Sequence, residues 1–170
     1  VNSFDFTPEK FDDPQGMIDR IQDLGYRFAL WHTPYVGEET EATAELHQFA
    51  LDNGYYPPST GLGLYLNDWG RLVDLTNPDA YAWWQSLISK YTDMGVEGFK
   101  LDFAQDIQTG LNLLRNPWLF HDGSDERTMH SRYQNLYHQV YAELLPEEGG
   151  FLLCRSGKFG DQVNGPIIWP

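Results

Sequence analysis

One cysteine, only eleven lysines and arginines together, and no apolar run of membrane-spanning length are what this 170-residue sequence has least of. The lone Cys154 cannot form an internal disulfide, and its setting in Phe151-Leu152-Leu153-Cys154 is that of an inert buried thiol. No Cys/His grouping has structural-zinc spacing, so no metal is expected. The 25 acidic residues leave a net charge of −14, which argues against a surface that neutralises nucleic-acid phosphates or anionic lipids. Neither nucleic acid nor membrane is an expected partner. The first residues, Val1-Asn2-Ser3-Phe4-Asp5, show neither the basic start nor the apolar stretch of a signal peptide, and nothing assigns a compartment or an oligomeric state. Gly61-Leu62-Gly63 is no phosphate loop, because neither a Lys nor an immediate helix follows. Repeats and low-complexity tracts are missing too.

What is present is a 41% apolar content, enough for a globular core, and a regular alternation of elements. Asp13-Pro14 caps a first helix with Met17, Ile18, Ile21 and Leu24 at helical spacing, and Gly25 closes it. A strand is expected over Tyr26–Tyr35, a helix over Glu41–Asn53, and a long loop over Tyr55–Leu72. Asn77-Pro78-Asp79 opens a third helix that ends at Gly95; Gly98–Phe103 reads as a strand, Glu126–Leu145 as a helix, and Phe151–Arg155 and Pro166–Trp169 as further strands. Strands joined by helices of crossover length imply parallel pairing in βα units. Four such strands fit a doubly wound sheet or a (β/α)8 barrel.

The placement of charge favours the barrel. A period of two puts Phe99, Leu101 and Phe103 on one face of their strand and Lys100 with Asp102 on the other. Buried parallel strands are usually apolar on both faces, so a charged face needs a pocket or a partner. The C-terminal rim of a barrel supplies one. A whole barrel takes about 250 residues, so the expected fold is a partial (β/α)8 TIM barrel of about four parallel strands with intervening helices. Residues 1–170 would be the central part of that domain, truncated at both ends, with Ile167-Ile168-Trp169-Pro170 a strand still running.

A carboxylate at such a rim can attack an anomeric carbon if it is ionised, aimed and matched by a proton donor on the leaving oxygen. Lys100 would favour ionised Asp102, and Arg155, ending a later strand, could add charge and donate to sugar hydroxyls. A structural ion pair between Lys100 and Asp102 fits the same spacing, and spacing alone leaves both open.

From Phe4 to Trp169 the sequence resembles the catalytic barrel of glycoside hydrolase family 31. Phe4-Asp5-Phe6 with Lys10-Phe11-Asp12-Asp13-Pro14-Gln15-Gly16-Met17-Ile18 is similar to the family's approach to its third strand, and Leu30-Trp31-His32-Thr33-Pro34-Tyr35 to the end of that strand. Val73-Asp74-Leu75-Thr76-Asn77-Pro78 followed by Met94-Gly95-Val96-Glu97-Gly98-Phe99-Lys100-Leu101-Asp102-Phe103 resembles the helix and strand that deliver the nucleophile. Arg155-Ser156-Gly157, Gly160-Asp161-Gln162 and Ile168-Trp169-Pro170 look like the segment before the acid/base Asp.

The resemblance implies a retaining α-glycosidase that hydrolyses terminal α-glycosidic bonds without a cofactor. It makes Asp102 the nucleophile, and Trp31, Lys100, Phe103, Arg155 and Trp169 the residues that bind a carbohydrate substrate. The acid/base Asp should fall just past Pro170, so the isolated chain should be inactive. Ala104-Gln105-Asp106 departs from the family, which often has a Glu three residues after the nucleophile, and Asp161 stands where Ser is common. These departures leave the sugar open. The α-galactosidases of related families 27 and 36 also carry a Lys two residues before the nucleophile, and Cys154-Arg155-Ser156-Gly157 is similar to them. A barrel that binds sugar without cleaving it is the other alternative.

Several further residues invite functional readings. Trp83, Trp84, Tyr133, Tyr137 and Tyr141 sit at helix-face spacing and are expected in the core, whereas Trp69 lies in the long loop and could join the pocket or not. His32 could reach the pocket mouth or pack inside. His130 and His138, eight apart on one helix without a third ligand, make no metal site. Asp5, Asp68, Asp74 and Asp106 are alternative carboxylates; Asp74 is expected to order the turn before its helix.

Overall fold

The computed structural model describes residues 3–38, 40–60, 69–107 and 117–169. Helix α1, Pro14–Asp23, begins where expected, with the Asp13 carboxylate accepting the Gly16 N–H at 2.9 Å. Strand β1, Ala29–His32, follows, then the short β2, Tyr35–Val36. Helix α2, Glu41–Asp52, is closed at its start by a reciprocal pair: Thr40 Oγ1 accepts from Thr43 N–H, and Thr43 Oγ1 from Thr40 N–H. After β3 (Ser59–Thr60) and β4 (Arg71–Leu72) comes α3, Pro78–Thr92. Strand β5 is Gly98–Leu101, β6 Trp118–Leu119, α4 Glu126–Ala142, β7 Phe151–Cys154 and β8 Ile167–Ile168, with a 3-10 turn at Asp161–Asn164 before the last.

The four main strands form one parallel sheet in the order β1-β5-β7-β8. Its register aligns Trp31 with Lys100 and Leu153, and His32 with Leu101 and Cys154. This is the expected arc of a (β/α)8 barrel, with α3 and α4 in the connections between its strands. Phe99, Leu101, Leu152 and Cys154 point into the buried layer shared with Trp84, Ile88 and Tyr91 of α3 and Met129, Tyr133, Tyr137, Val140 and Tyr141 of α4. Burying the hydroxyls of Tyr133, Tyr137 and Tyr141 and the indole N–H of Trp84 is tolerable because these groups find partners. Tyr133 donates to the Val73 carbonyl at 2.7 Å, Tyr137 to the His32 carbonyl at 3.0 Å, and Trp84 Nε1 to the Tyr141 oxygen at 3.2 Å.

Three expectations need correction. The strand expected over Tyr26–Tyr35 is split: β1 spans four residues, and past Thr33-Pro34 the chain leaves the sheet to pair β2 antiparallel with β4. The loop expected over Tyr55–Leu72 contains β3, paired antiparallel with β6, and β4; Gly61-Leu62-Gly63 and Asp68 lie outside the described residues. The strand expected to run through Phe103 stops at Leu101, because Phe103 and Ala104 both adopt positive φ, 63° and 79°. No glycine marks that turn in the sequence.

Helix α3 offers a direct check on how these elements are specified. The Asn77 side-chain oxygen accepts from the N–H groups of Asp79 at 3.0 Å and Ala80 at 3.5 Å. Asn77→Ala should lower unfolding free energy by about 1 kcal/mol, and Asn77→Asp, which keeps an acceptor, by much less. Denaturant melts of the three proteins measure this; equal midpoints would mean that the cap does not hold the helix that leads into β5.

Candidate active site

The C-terminal ends of β1, β5 and β7 bring Trp31, Lys100, Asp102 and Arg155 together, with Trp169 arriving just past β8. The carboxylate of Asp102 is the hub. Its Oδ1 accepts from Arg155 Nε at 2.5 Å and from the Phe103 N–H at 3.0 Å. Its Oδ2 accepts from Trp31 Nε1 at 3.0 Å, and Lys100 Nζ stands 3.9 Å away. All four neighbours are donors, which is the environment of an ionised, acceptor-only carboxylate.

Within this chain the members of the cluster differ in exposure. The Asp102 side chain is 8% exposed, but those of Lys100 and Arg155 are 42% and 40% exposed. Within this chain the cations face open space while the carboxylate lies beneath them. Rings wall that space. Lys100 Nζ lies 4.7 Å from the centre of the Trp169 ring and the Arg155 guanidinium 4.4 Å from that of Phe103. Trp69 contacts both Trp31, at 5.6 Å between ring centres, and Phe103, at 5.2 Å. Flat rings beside forked and pointed donors suit a sugar, whose C–H faces stack and whose hydroxyls accept and donate.

Phe103 reaches this wall only because of the left-handed turn. Continued extended backbone would have put its ring on the face of Phe99 and Leu101, under the helices. The strand periodicity alone thus points Phe103 away from the pocket, and the structure brings it in. Trp69 also joins the wall, beside a feature that local patterning does not interpret: Gly70 has φ 120°, and a Cβ there would overlap the Val36 carbonyl. The close approach of β2 and β4 needs that glycine and sets Trp69 against Trp31.

The remaining candidates are placed elsewhere. His32 is buried, its Nδ1 3.0 Å from the Tyr141 hydroxyl, and burial pushes its pKa down to about 3, so it is a neutral packing group. Asp74 orders the turn before α3, accepting from Thr76 N–H and Oγ1 and from the His121 N–H. Asp5 pairs with Lys90 at 3.0 Å. Asp106 is buried and hydrogen-bonds the Tyr35 hydroxyl. His130 Nδ1 meets the Ile107 carbonyl at 2.7 Å, and His138 Nδ1 meets Asp161 Oδ2 at 2.6 Å in a pair that sequence reading does not foresee. Among the described residues no three His, Cys, Asp or Glu side chains are grouped to hold a metal ion.

A family model described as the TIM-barrel domain of glycosyl hydrolases family 31 matches residues 1–170. The chain belongs to glycoside hydrolase family 31. Among curated relatives of this family 31 chain, an α-xylosidase of Emericella nidulans is 30% identical over 98% of the chain and 21% of its own length. A sulfoquinovosidase of Escherichia coli is 29% identical over 95% of the chain and 24% of its own length. Among solved structures, a family 31 dextranase of Flavobacterium johnsoniae complexed with glucose superposes with a TM-score of 0.80 at 22% identity, over 99% of this chain and 22% of that one. A family 31 sulfoquinovosidase from E. rectale bound to an aza-sugar inhibitor gives 0.77 at 23%, over 98% and 25%. The chain thus spans about a fifth to a quarter of the relatives it matches. At these identities the solved structures speak for the fold, and the family model speaks for glycosidase ancestry.

Proposed function

We propose that residues 1–170 are the central part of a (β/α)8 catalytic domain in a longer protein that hydrolyses terminal α-glycosidic bonds with retention, and that Asp102 is its nucleophile. One observation carries the reading: a carboxylate at the end of a barrel strand whose partners among the described residues are all donors, beside two cations and an aromatic wall. The names of its relatives, α-xylosidase, sulfoquinovosidase and α-glucosidase, point to the same chemistry.

In the first step Asp102 Oδ2, which has one short hydrogen bond against two on Oδ1, forms a bond to the anomeric carbon. The bond from that carbon to the leaving oxygen breaks, and the oxygen takes a proton from a carboxylic acid supplied by another part of the longer chain. In the second step that carboxylate removes a proton from water, the water oxygen bonds to the anomeric carbon, and Asp102 departs with its electron pair. Two inversions give net retention, and the two carboxyl groups stand about 5 to 5.5 Å apart. Lys100 and Arg155 donate to sugar hydroxyls, while Trp31, Phe103 and Trp169 flank the ring. No cofactor takes part in these steps.

A fluorinated mechanism-based α-glycoside slows the second step more than the first and traps the covalent sugar. Incubated with the full-length protein and digested, it should leave its mass on the peptide that contains Asp102. Label on a different carboxylate would sink the assignment.

A further inference from the structure

The turn that follows Asp102 is built against the preferences of its own residues. Phe103 and Ala104 both sit in the left-handed region, φ 63° and 79°, where a Cβ is disfavoured. Two successive non-glycine residues hold such a conformation only when their surroundings impose it. One buried side chain stands where it can do so. Tyr35, on β2, is fully buried, and its hydroxyl oxygen accepts the Ala104 N–H at 3.0 Å. The same hydroxyl bonds the carboxylate of Asp106, two residues further on and itself buried. Burial, and after it the negative charge of Asp106, push the Tyr35 pKa up, so the group stays a phenol with a proton to give. One O–H thus spans the turn, taking a proton-donor contact from Ala104 and returning one to Asp106.

The turn in its left-handed form does two things for Asp102. It directs the Phe103 N–H onto Oδ1 at 3.0 Å, and it brings the Phe103 ring back beneath the Arg155 guanidinium, whose Nε binds that same oxygen. Relaxation of Ala104 toward right-handed backbone withdraws both. We propose that Tyr35 is a positioning residue for the nucleophile: by clamping Ala104 N–H and Asp106 it holds Phe103–Ala104 left-handed, so that Oδ1 of Asp102 is tied down and Oδ2 faces the sugar. The proposal rests on the reading of Asp102 as nucleophile.

The test uses the full-length protein and the rate at which the fluorinated α-glycoside labels Asp102. Label on Asp102 in the unaltered protein is established first, and its absence there sinks the nucleophile reading itself. Given label, Tyr35→Phe keeps the buried ring and removes the clamp. Its labelling should slow roughly 10- to 100-fold, as expected for a nucleophile misplaced by the order of an ångström. Adding Ala104→Gly to Tyr35→Phe removes the Cβ that opposes the turn and should recover at least about fivefold of that loss. A Tyr35 that merely fills the core gives no such recovery, because glycine at 104 restores no packing. Absence of recovery, or Tyr35→Phe labelling at the unaltered rate, overturns the proposal. Should Tyr35→Phe fail to fold, Asp106→Asn replaces it: it weakens the other arm of the clamp, should slow labelling in the same direction, and should be relieved by the same glycine. Unchanged labelling in Asp106→Asn then overturns the proposal as well.

Discussion

Asp102→Ala in the full-length protein should lower kcat on an activated aryl α-glycoside by at least about 10⁴-fold, because removing the proposed nucleophile forfeits an entire step and not one contact within it. The geometry makes this expectation sharper than a bare loss of activity. Truncation leaves Arg155 and Lys100 facing a hole the size of a carboxylate, with no other acidic side chain among the described residues paired with them. A small anion such as azide should enter that hole, attack the anomeric carbon from the vacated side and displace the leaving group. The expected result is partial recovery of turnover with added azide, and a product inverted at the anomeric carbon, since a single displacement replaces two. Asp102→Asn, which fills the hole with a neutral amide, should be as inactive and should not respond to azide. A structural counter-ion at position 102 behaves differently: its removal destabilises the barrel, and azide restores no turnover. Melting temperature read beside activity separates the two, with little change or a rise expected for a group placed for chemistry at the expense of stability. Activity within tenfold of the unaltered protein would end the nucleophile assignment.

How much of this could be read from the sequence follows from the range of the forces involved. Asp13-Pro14 and Asn77-Pro78 announce helices because a cap acts within three residues, and α1 and α3 begin where those pairs place them. The alternation of Phe99 and Leu101 with Lys100 fixes which side of β5 meets the helices, a contrast set by neighbouring side chains. Trp31, Lys100 and Arg155 converge on Asp102 because parallel register lines up strand ends, which the βα order implies. The turn at Phe103–Ala104 was not legible, since its cause is the Tyr35 hydroxyl 69 residues earlier in the chain. The ladders β2–β4 and β3–β6 are two residues long, too short for any periodicity to develop. The His138–Asp161 pair spans 23 residues between a helix and a 3-10 turn, and neither side chain carries a local mark of the other. Resemblance to family 31 reached further than patterning did for Phe103, whose ring strand alternation alone places on the helix-facing side and the structure sets beside Arg155.

Arg155→Ala should cost about 10²-fold in kcat/KM on the same substrate, the loss that a misplacement of about 1 Å at a reacting group brings. Charge alone would not do this. An ion pair whose cation is 40% exposed is worth at most about 1 kcal/mol, or roughly fivefold, because water screens it. The larger expectation rests on direction. Arg155 reaches Oδ1 through Nε at 2.5 Å, leaving the two terminal nitrogens of a planar fork free for sugar hydroxyls, while the face of the fork rests on Phe103. Losing it frees the Asp102 carboxylate to rotate about its last bond, loosens the ring of Phe103 and, on the proposed role of Arg155, removes hydrogen bonds to the substrate, and these losses act on one geometry. Arg155→Lys separates the contributions, since it keeps the charge and gives up the fork. If charge dominates, Lys recovers most of the activity; if direction dominates, as the contacts argue, Lys stays within about tenfold of Ala, and added guanidinium ion rescues Arg155→Ala better than ammonium does. An Arg155→Ala protein within fivefold of the unaltered protein would reduce the guanidinium to a screened counter-ion.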